Sequence, residues 1–581
     1  MKMIPTHLKP FVTEQHYDRY TPIDHAVWRY VMRQNHHALL HTAHSAFVDG
    51  LLQSGIQTEK IPRVSEMNTC LSKIGWGAAI VNGLIPGSVF YELLANRILP
   101  IATEIRKLTN IEYTPAPDII HEAAGHAPIL FDREYRAYVQ TIGSIGAKAF
   151  SMKENREVFE ALRQLTIIKE DPKSTVEEIA AAQKFVEEKQ NAIIDLSEAE
   201  KVSRLFWATV EYGLMGDMDN PKIYGAGLLS SVGESKHCFT EAVVKLPYSV
   251  EACIASPKTV TEMQTKLFVC NSFEELMAGA EFLANTMAFR VGGTESLEKA
   301  LRSRNVATFE FNSSISVTGI VHALVKDKNG EAIYVNTTGE TALSVHNQQL
   351  KGHGKDYHAK GFGTPIGMLQ GNIALEACDD QALVNLSIVE GNFVDLLFVS
   401  GIRVSGRIKS IIKDNQKVIL ISFEDCTVTL DGHELFKKEW GTYDMAVGSR
   451  IVCAYPGAAD PASYFSETLQ QAETIKEPPA SLTELEMLYQ QVATIRENNT
   501  FTNESIQVLN DINNQLHLSY PNDWLLRLEL LELAASKLSL KHLELPIKEE
   551  LNELSKVASF TNLINNGLSV IYAQTGEDRD E

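Results

Sequence analysis

The chain has 581 residues, 44% hydrophobic and 22% charged, with a net charge of -21 at pH 7. That length exceeds one ordinary core, so two to four domains are expected. The acidic balance argues against a nucleic-acid backbone or an anionic membrane as the main partner.

Seven scattered cysteines without a CxxC pair suit reduced thiols. MKMIPTHLKPFV lacks the apolar run of a signal peptide, and no stretch approaches a membrane span, so a cytoplasmic enzyme is expected. Residues 1–60 read mainly helical. Tyr20-Thr21-Pro22 precedes a run over Asp24–Leu40 in which Trp28, Tyr30, Val31 and Leu39 recur at roughly helical spacing. His36, His37, His41 and His44 crowd its second half without neighbouring carboxylates or cysteines, so solvation or packing is their expected role. Val81–Gly87 is loop-like. Ser88 then opens a helix whose Phe90, Leu93, Leu94 and Ile98 recur at helical period until Pro100 interrupts, and Arg106 follows.

The most specific chemistry lies in TPAPDIIHEAAGHAP, Thr114–Pro128. His121 and His126 are five apart, and on an unbroken α-helix five residues turn the chain by about 500°, so the rings would diverge. Gly125 offers a repair, because a glycine can end a helix in the left-handed conformation and swing the next side chain back. Pro117-Asp118 supplies a start, and Pro128 a position where the helix has stopped. The expectation is a two-turn helix from about Asp118, with His121 on its inner face and His126 just past its end. Two satisfied histidines at a helix terminus would share this spacing, but Glu122 beside the first and Gly125 beside the second favour a site.

Residues 129–200 read as helix and then a charged insert, two surface helices joined at Asp171-Pro172. Ser203–Glu211 is a buried helix carrying Glu211 among Phe206, Trp207, Val210 and Leu214, costly unless the carboxylate is paired or coordinated. A salt bridge to a core arginine and a metal serve equally. Tyr224–Ser231, YGAGLLSS, is not GxGxxG, so close backbone approach is the better reading than a phosphate cradle. From Ala307 strand-like alternation dominates, with turn signals at Asp327–Gly330, Lys413–Gln416 and Asp431-Gly432, as in a small all-β barrel or sandwich. Pro456–Pro461 and Glu477-Pro478-Pro479 bracket a linker. From Ser481 amphipathic helical runs return, among them DWLLRLELLELAASKL, before a polar tail.

Two histidines and one carboxylate form the facial triad of non-haem iron(II) oxygenases, which leaves one side of the metal open. Zinc with the same ligands competes, with Glu122 as a general base for hydrolysis. PDIIHEAAGH, WATVEYGL and YGAGLLSS, in this order, resemble the catalytic domain of the pterin-dependent aromatic amino acid hydroxylases, over about residues 15–290. The resemblance implies a mainly α catalytic domain over 1–302, interrupted by the insert at about 151–200. It implies that His121, His126 and Glu211 bind iron(II) and that Arg106 holds the substrate carboxylate. Phe90 would stack on a tetrahydropterin (tetrahydrobiopterin or a relative), and the backbone of Gly83, Leu84 and Ile85 would meet its edge. Glu122 would lie near the pterin and the oxygen site, Trp207 and Thr114 would line the substrate pocket, and Ser230 would support a ligating histidine. Val260 sits where an apolar residue goes with phenylalanine. The implied reaction hydroxylates the ring of a free aromatic amino acid with dioxygen as co-substrate, phenylalanine to tyrosine first, with tyrosine or tryptophan hydroxylation as the rival. A non-catalytic binding protein is the remaining alternative. The β-rich residues 303–458, the linker 459–480 and the helical residues 481–581 lie outside the resemblance, with scaffold or homo-oligomer contact as their expected role.

Overall fold

A computed structural model describes residues 3–81, 85–111, 117–170, 174–192, 195–258, 263–465, 481–499 and 501–575. Gly83, Leu84, Thr114 and Val260 lie outside the described residues.

The helix Pro22–Thr42 begins on a capping box: Thr21 accepts from the Asp24 N–H, and the Asp24 carboxylate accepts from the Thr21 N–H. It buries Val27, Trp28, Arg29, Tyr30 and Val31 in the largest hydrophobic cluster. His44 caps the next helix, Ser45–Gln53, by accepting from the Ala46 N–H at 3.3 Å. The helix opened near Ser88 is shorter than its periodicity predicts. It spans Gly87–Ala95, and Arg97, at φ +60°, turns the chain into the strand Ile98–Ala102, parallel to Gly77–Val81. Pro100 is tolerated there because the strand forms one edge of its three-stranded sheet.

The helix predicted from Asp118 also takes a different form. His121–His126 is a π-helical turn, in which the Ala127 N–H reaches the Glu122 carbonyl five residues back, and an α-helical turn, Ala127–Ile129, continues from it. Pro128 therefore lies inside the helix and not beyond it. Gly125 is not left-handed; a Cβ there would sit 2.6 Å from the Ala226 carbonyl oxygen, so its role is close approach. Trp207–Glu211 is a second π turn, with Tyr212 N–H donating to the Trp207 carbonyl at 3.0 Å.

In the charged insert Lys153–Glu170 and Val176–Asn191 pack on each other through Ala161, Leu165 and Val186. The β-rich residues form two antiparallel sheets of six and five strands. Asn415-Gln416 and Asp431-Gly432, all at positive φ, close two-residue hairpins between strands Arg403–Asp414, Lys417–Leu430 and His433–Phe436.

Among the described residues five α-helices follow: Glu484–Asn498, Asn503–Ser519, Leu525–Ser536, Lys541–Leu554 and Ala558–Thr575. Leu525–Ser536, amphipathic by sequence, is buried on nearly every side because it lies among the other helices and Pro22–Thr42. Its Glu529 takes Arg29 in two bonds, Nε–Oε1 at 2.5 Å and NH2–Oε2 at 2.9 Å. The Tyr30 hydroxyl donates to the Leu563 carbonyl at 2.8 Å, and its ring meets Trp524 edge-on at 5.3 Å. These helices thus share the hydrophobic cluster of the amino-terminal half. Among the described residues no helix is long and apolar enough to cross a membrane.

Candidate active site

The two π turns bring three side chains together. In an α-helix residues four apart share a face; when the ring of hydrogen bonds closes over five residues, residues five apart do so instead. His121 and His126 consequently converge, Nε2 to Nε2 at 3.2 Å with rings 82° apart. Glu211, at the end of the second π turn, reaches His121 Nε2 through Oε2 at 3.2 Å and His126 Nε2 through Oε1 at 3.3 Å. An ion about 2.1 Å from each donor needs donor–donor edges of about 3.0 Å at right angles, or about 3.4 Å in a tetrahedron. The His121–His126 separation falls between these values, and each imidazole has one Glu211 oxygen at a similar distance.

The surrounding backbone is shaped for this. A Cβ on Gly225 would sit 2.4 Å from the Glu211 carbonyl oxygen, and one on Gly227 3.0 Å from it. Without side chains at those positions the helix Ala226–Leu229 closes over Glu211 and presents Ser230 to His121. The Ser230 hydroxyl donates to the Ala226 carbonyl at 2.8 Å and faces His121 Nδ1 at 3.1 Å. With its proton so directed, Ser230 accepts from Nδ1–H, which leaves His121 Nε2 as a lone pair pointing at the triangle. Burial alone would raise the Glu211 carboxyl; the facing His126 and His121 rings outweigh it and hold it well below the usual range. It is a carboxylate, as a ligand must be.

Arg106 is buried, not an ordinary surface arginine. It donates through Nε to Asp118 Oδ2 at 2.8 Å, through NH2 to Oδ1 at 2.9 Å, and through NH1 to the Ser230 carbonyl at 3.4 Å. Asp118 also accepts from the His121 N–H at 3.0 Å, so one carboxylate orients both the arginine and the turn that carries the histidines. Sequence reading took Asp118 only as a helix start; its second role had no local signal, because its partner lies twelve residues upstream. Glu122 is buried, 3.9 Å from His126 Nε2, with Oε2 lacking a hydrogen-bond partner among the described residues. Burial pushes its carboxyl up to about 8.

Phe90 is half-buried, in edge contact with Tyr91 and Phe206 at 5.5 Å. Ile85 packs on the small cluster of Leu8, Val81 and Val89. Trp207 donates through Nε1 to Gln264 at 3.2 Å and leans on Tyr212, and a cavity opens between these residues and Phe268. Gln264 donates its backbone N–H at 3.0 Å to the buried Glu234, a second carboxylate that sequence reading passed over.

Two imidazoles and a carboxylate whose donor atoms lie this close together could hold one metal ion, the ligand set of the facial-triad class. Residues 15–176 and 192–291 match the model of the biopterin-dependent aromatic amino acid hydroxylases, so this stretch is similar to that family. The interruption falls on the second helix of the insert. Phenylalanine-4-hydroxylase of Ralstonia nicotianae is 29% identical over 272 residues, covering 46% of this chain and 73% of that one. The Chromobacterium violaceum enzyme is 28% identical over 268 residues, covering 46% and 75%. A crystal structure of the Chromobacterium violaceum phenylalanine hydroxylase with bound Fe(III) aligns at 26% identity and a TM-score of 0.38, covering 47% of this chain and 86% of that one.

Proposed function

We propose that the protein is an iron(II)- and tetrahydropterin-dependent monooxygenase that hydroxylates the ring of free phenylalanine to give tyrosine. The observation that carries this is the His121–His126–Glu211 triangle within a stretch that matches the hydroxylase family. Iron, when bound, supplies with a reduced pterin the activation of dioxygen that ring hydroxylation needs. The chain's own share is binding and orientation. His121, His126 and Glu211 hold the metal from one side. Ser230 fixes the His121 tautomer. Arg106, oriented by Asp118, offers its remaining N–H groups to the substrate carboxylate. By the family resemblance Trp207 and Thr114 would line the aromatic pocket, and Val260 would favour phenylalanine. Phe90 would present a ring to a bound pterin, Gly83, Leu84 and Ile85 would meet its edge, and Glu122 would lie near the pterin and the oxygen site.

Oxygen uptake matched by tyrosine formation, with phenylalanine, iron(II) and a tetrahydropterin present, tests the reading; uptake without tyrosine would sink it. Product analysis on phenylalanine, tyrosine and tryptophan separates the three substrates. A zinc hydrolase or a binding protein has no comparable support from the family match.

On this reading residues 1–302 are the catalytic domain, with an insert at about 151–200, and the enzyme works in the cytoplasm. The two sheets of 303–458 form a sandwich-like unit, supported by Ile419 and Leu420 of one sheet packing with Val335 and Leu343 of the other. Residues 459–480 link it to the helical residues 481–581. Those helices provide a contact between copies of the chain, supported by the exposure of Leu518, Leu538 and Leu545.

A further inference from the structure

A second cluster of ligating side chains lies outside the family match, between the two sheets. The loop 350–362 carries His353 and His358, again five residues apart, and the strand Tyr443–Ala446 carries Asp444. All three are buried, at 9%, 7% and 6% exposure. His353 Nδ1 stands 3.2 Å from His358 Nε2, the separation found between His121 and His126. With a carboxylate oxygen of Asp444 the three donor atoms all lie within 4.8 Å of one another.

The fold fixes each member from behind. On the strand Ala332–Val345, the Leu343 N–H donates to the His353 carbonyl at 2.9 Å and the Thr341 N–H to the His358 carbonyl at 3.2 Å. The loop can close there because Gly361 takes φ +115°, where a Cβ would also strike the Thr337 carbonyl oxygen at 2.4 Å. Asp444 is held by the Ser422 hydroxyl at 2.5 Å from the neighbouring strand. Hydrogen bonds behind a ligating carboxylate are what orient it toward a metal. Among the described residues, no lysine or arginine forms a salt bridge with Asp444. Two imidazoles and an unmatched carboxylate buried together are costly, and a divalent cation would balance the charge and use every donor.

We propose that His353, His358 and Asp444 form a second metal site that takes a divalent first-row transition ion, zinc foremost, and ties the six-stranded sheet to the five-stranded one. Imidazole and carboxylate donors suit zinc, and three protein ligands leave a fourth position for water. The site does not depend on the hydroxylase reading, because it can be counted with the first site removed.

The test uses the full chain carrying His121→Ala and His126→Ala, loaded with zinc, desalted and measured by elemental analysis. About one equivalent of zinc is expected to remain, and adding Asp444→Asn should reduce it at least about tenfold. His358→Gln, which keeps a polar side chain of similar size, serves if Asp444→Asn does not fold. Cobalt(II) loaded into the same double variant should show the visible absorption of a nitrogen- and oxygen-ligated ion, a readout that needs no change at the second site. Folded double variant that retains no zinc and shows no cobalt band overturns the proposal. So does full retention after Asp444→Asn or His358→Gln.

Discussion

Asp118 grips Arg106 through two parallel hydrogen bonds, at 2.8 and 2.9 Å, with both side chains almost wholly enclosed. Removing one partner of such a pair strands the other's charge, so Asp118→Ala should destabilise the fold by about 3–5 kcal/mol. Asp118→Asn should raise the KM for the amino acid more than it lowers kcat, because the guanidinium loses its orientation. Steady-state kinetics over amino acid concentration separate the two effects. Burial by itself would raise Asp118, and Arg106 overturns that, leaving the carboxyl below its ordinary value. The stabilisation is therefore complete above about pH 4 and disappears as pH falls through the folded value.

Ser230 meets His121 Nδ1 at 3.1 Å, so any effect on a bound metal would run through that ring. Ser230→Ala should weaken iron affinity by about 10–100-fold, with activity recovering as iron is raised. An iron titration of the purified variant measures this; unchanged affinity would remove Ser230 from the site.

Gly125 admits the Ala226 backbone where a methyl group would lie 2.6 Å from a carbonyl oxygen. Backbone cannot yield as a flexible side chain does, so Gly125→Ala should cost about 1–3 kcal/mol and spread the three ligands. Denaturant unfolding and iron binding, measured on the same sample, should fall together.

Glu234 is buried with one carboxyl oxygen unpartnered among the described residues, and burial raises it to about 7. The folded state therefore binds this proton more tightly than the unfolded chain does. The contribution of Glu234 to stability should be complete below about pH 4.5 and fall by about 3 kcal/mol as pH rises to about 7, then level off. Glu234→Gln should flatten this slope and be the more stable protein at pH 8. Unfolding curves at pH 5 and pH 8 decide it.

Arg29 and Glu529 join the first long helix to the carboxy-terminal ones, 500 residues apart and both buried. Glu529→Ala should cost about 3–5 kcal/mol, whereas Arg29→Met combined with Glu529→Leu should cost far less, because no charge is left behind. A double-mutant cycle of unfolding free energies tests this.

The sequence by itself marked the candidate ligands of the centre. His121, His126 and Glu211 stand within local motifs whose residue types name a metal, and alternation with Asn-Gln and Asp-Gly turns marks the strands after residue 306. Periodicity reads only neighbours along the chain, and it assumes the helix is α. That assumption misplaced the Gly125 effect: the helix widens to a π turn, and Gly125 instead admits the Ala226 backbone from a hundred residues away. Tertiary structure alone decided that Asp118 serves Arg106, that Leu525–Ser536 is enclosed, and that His353 and His358 meet Asp444. Each of these rests on a contact between segments distant in the chain, where burial makes an unpaired charge too costly to leave without a partner.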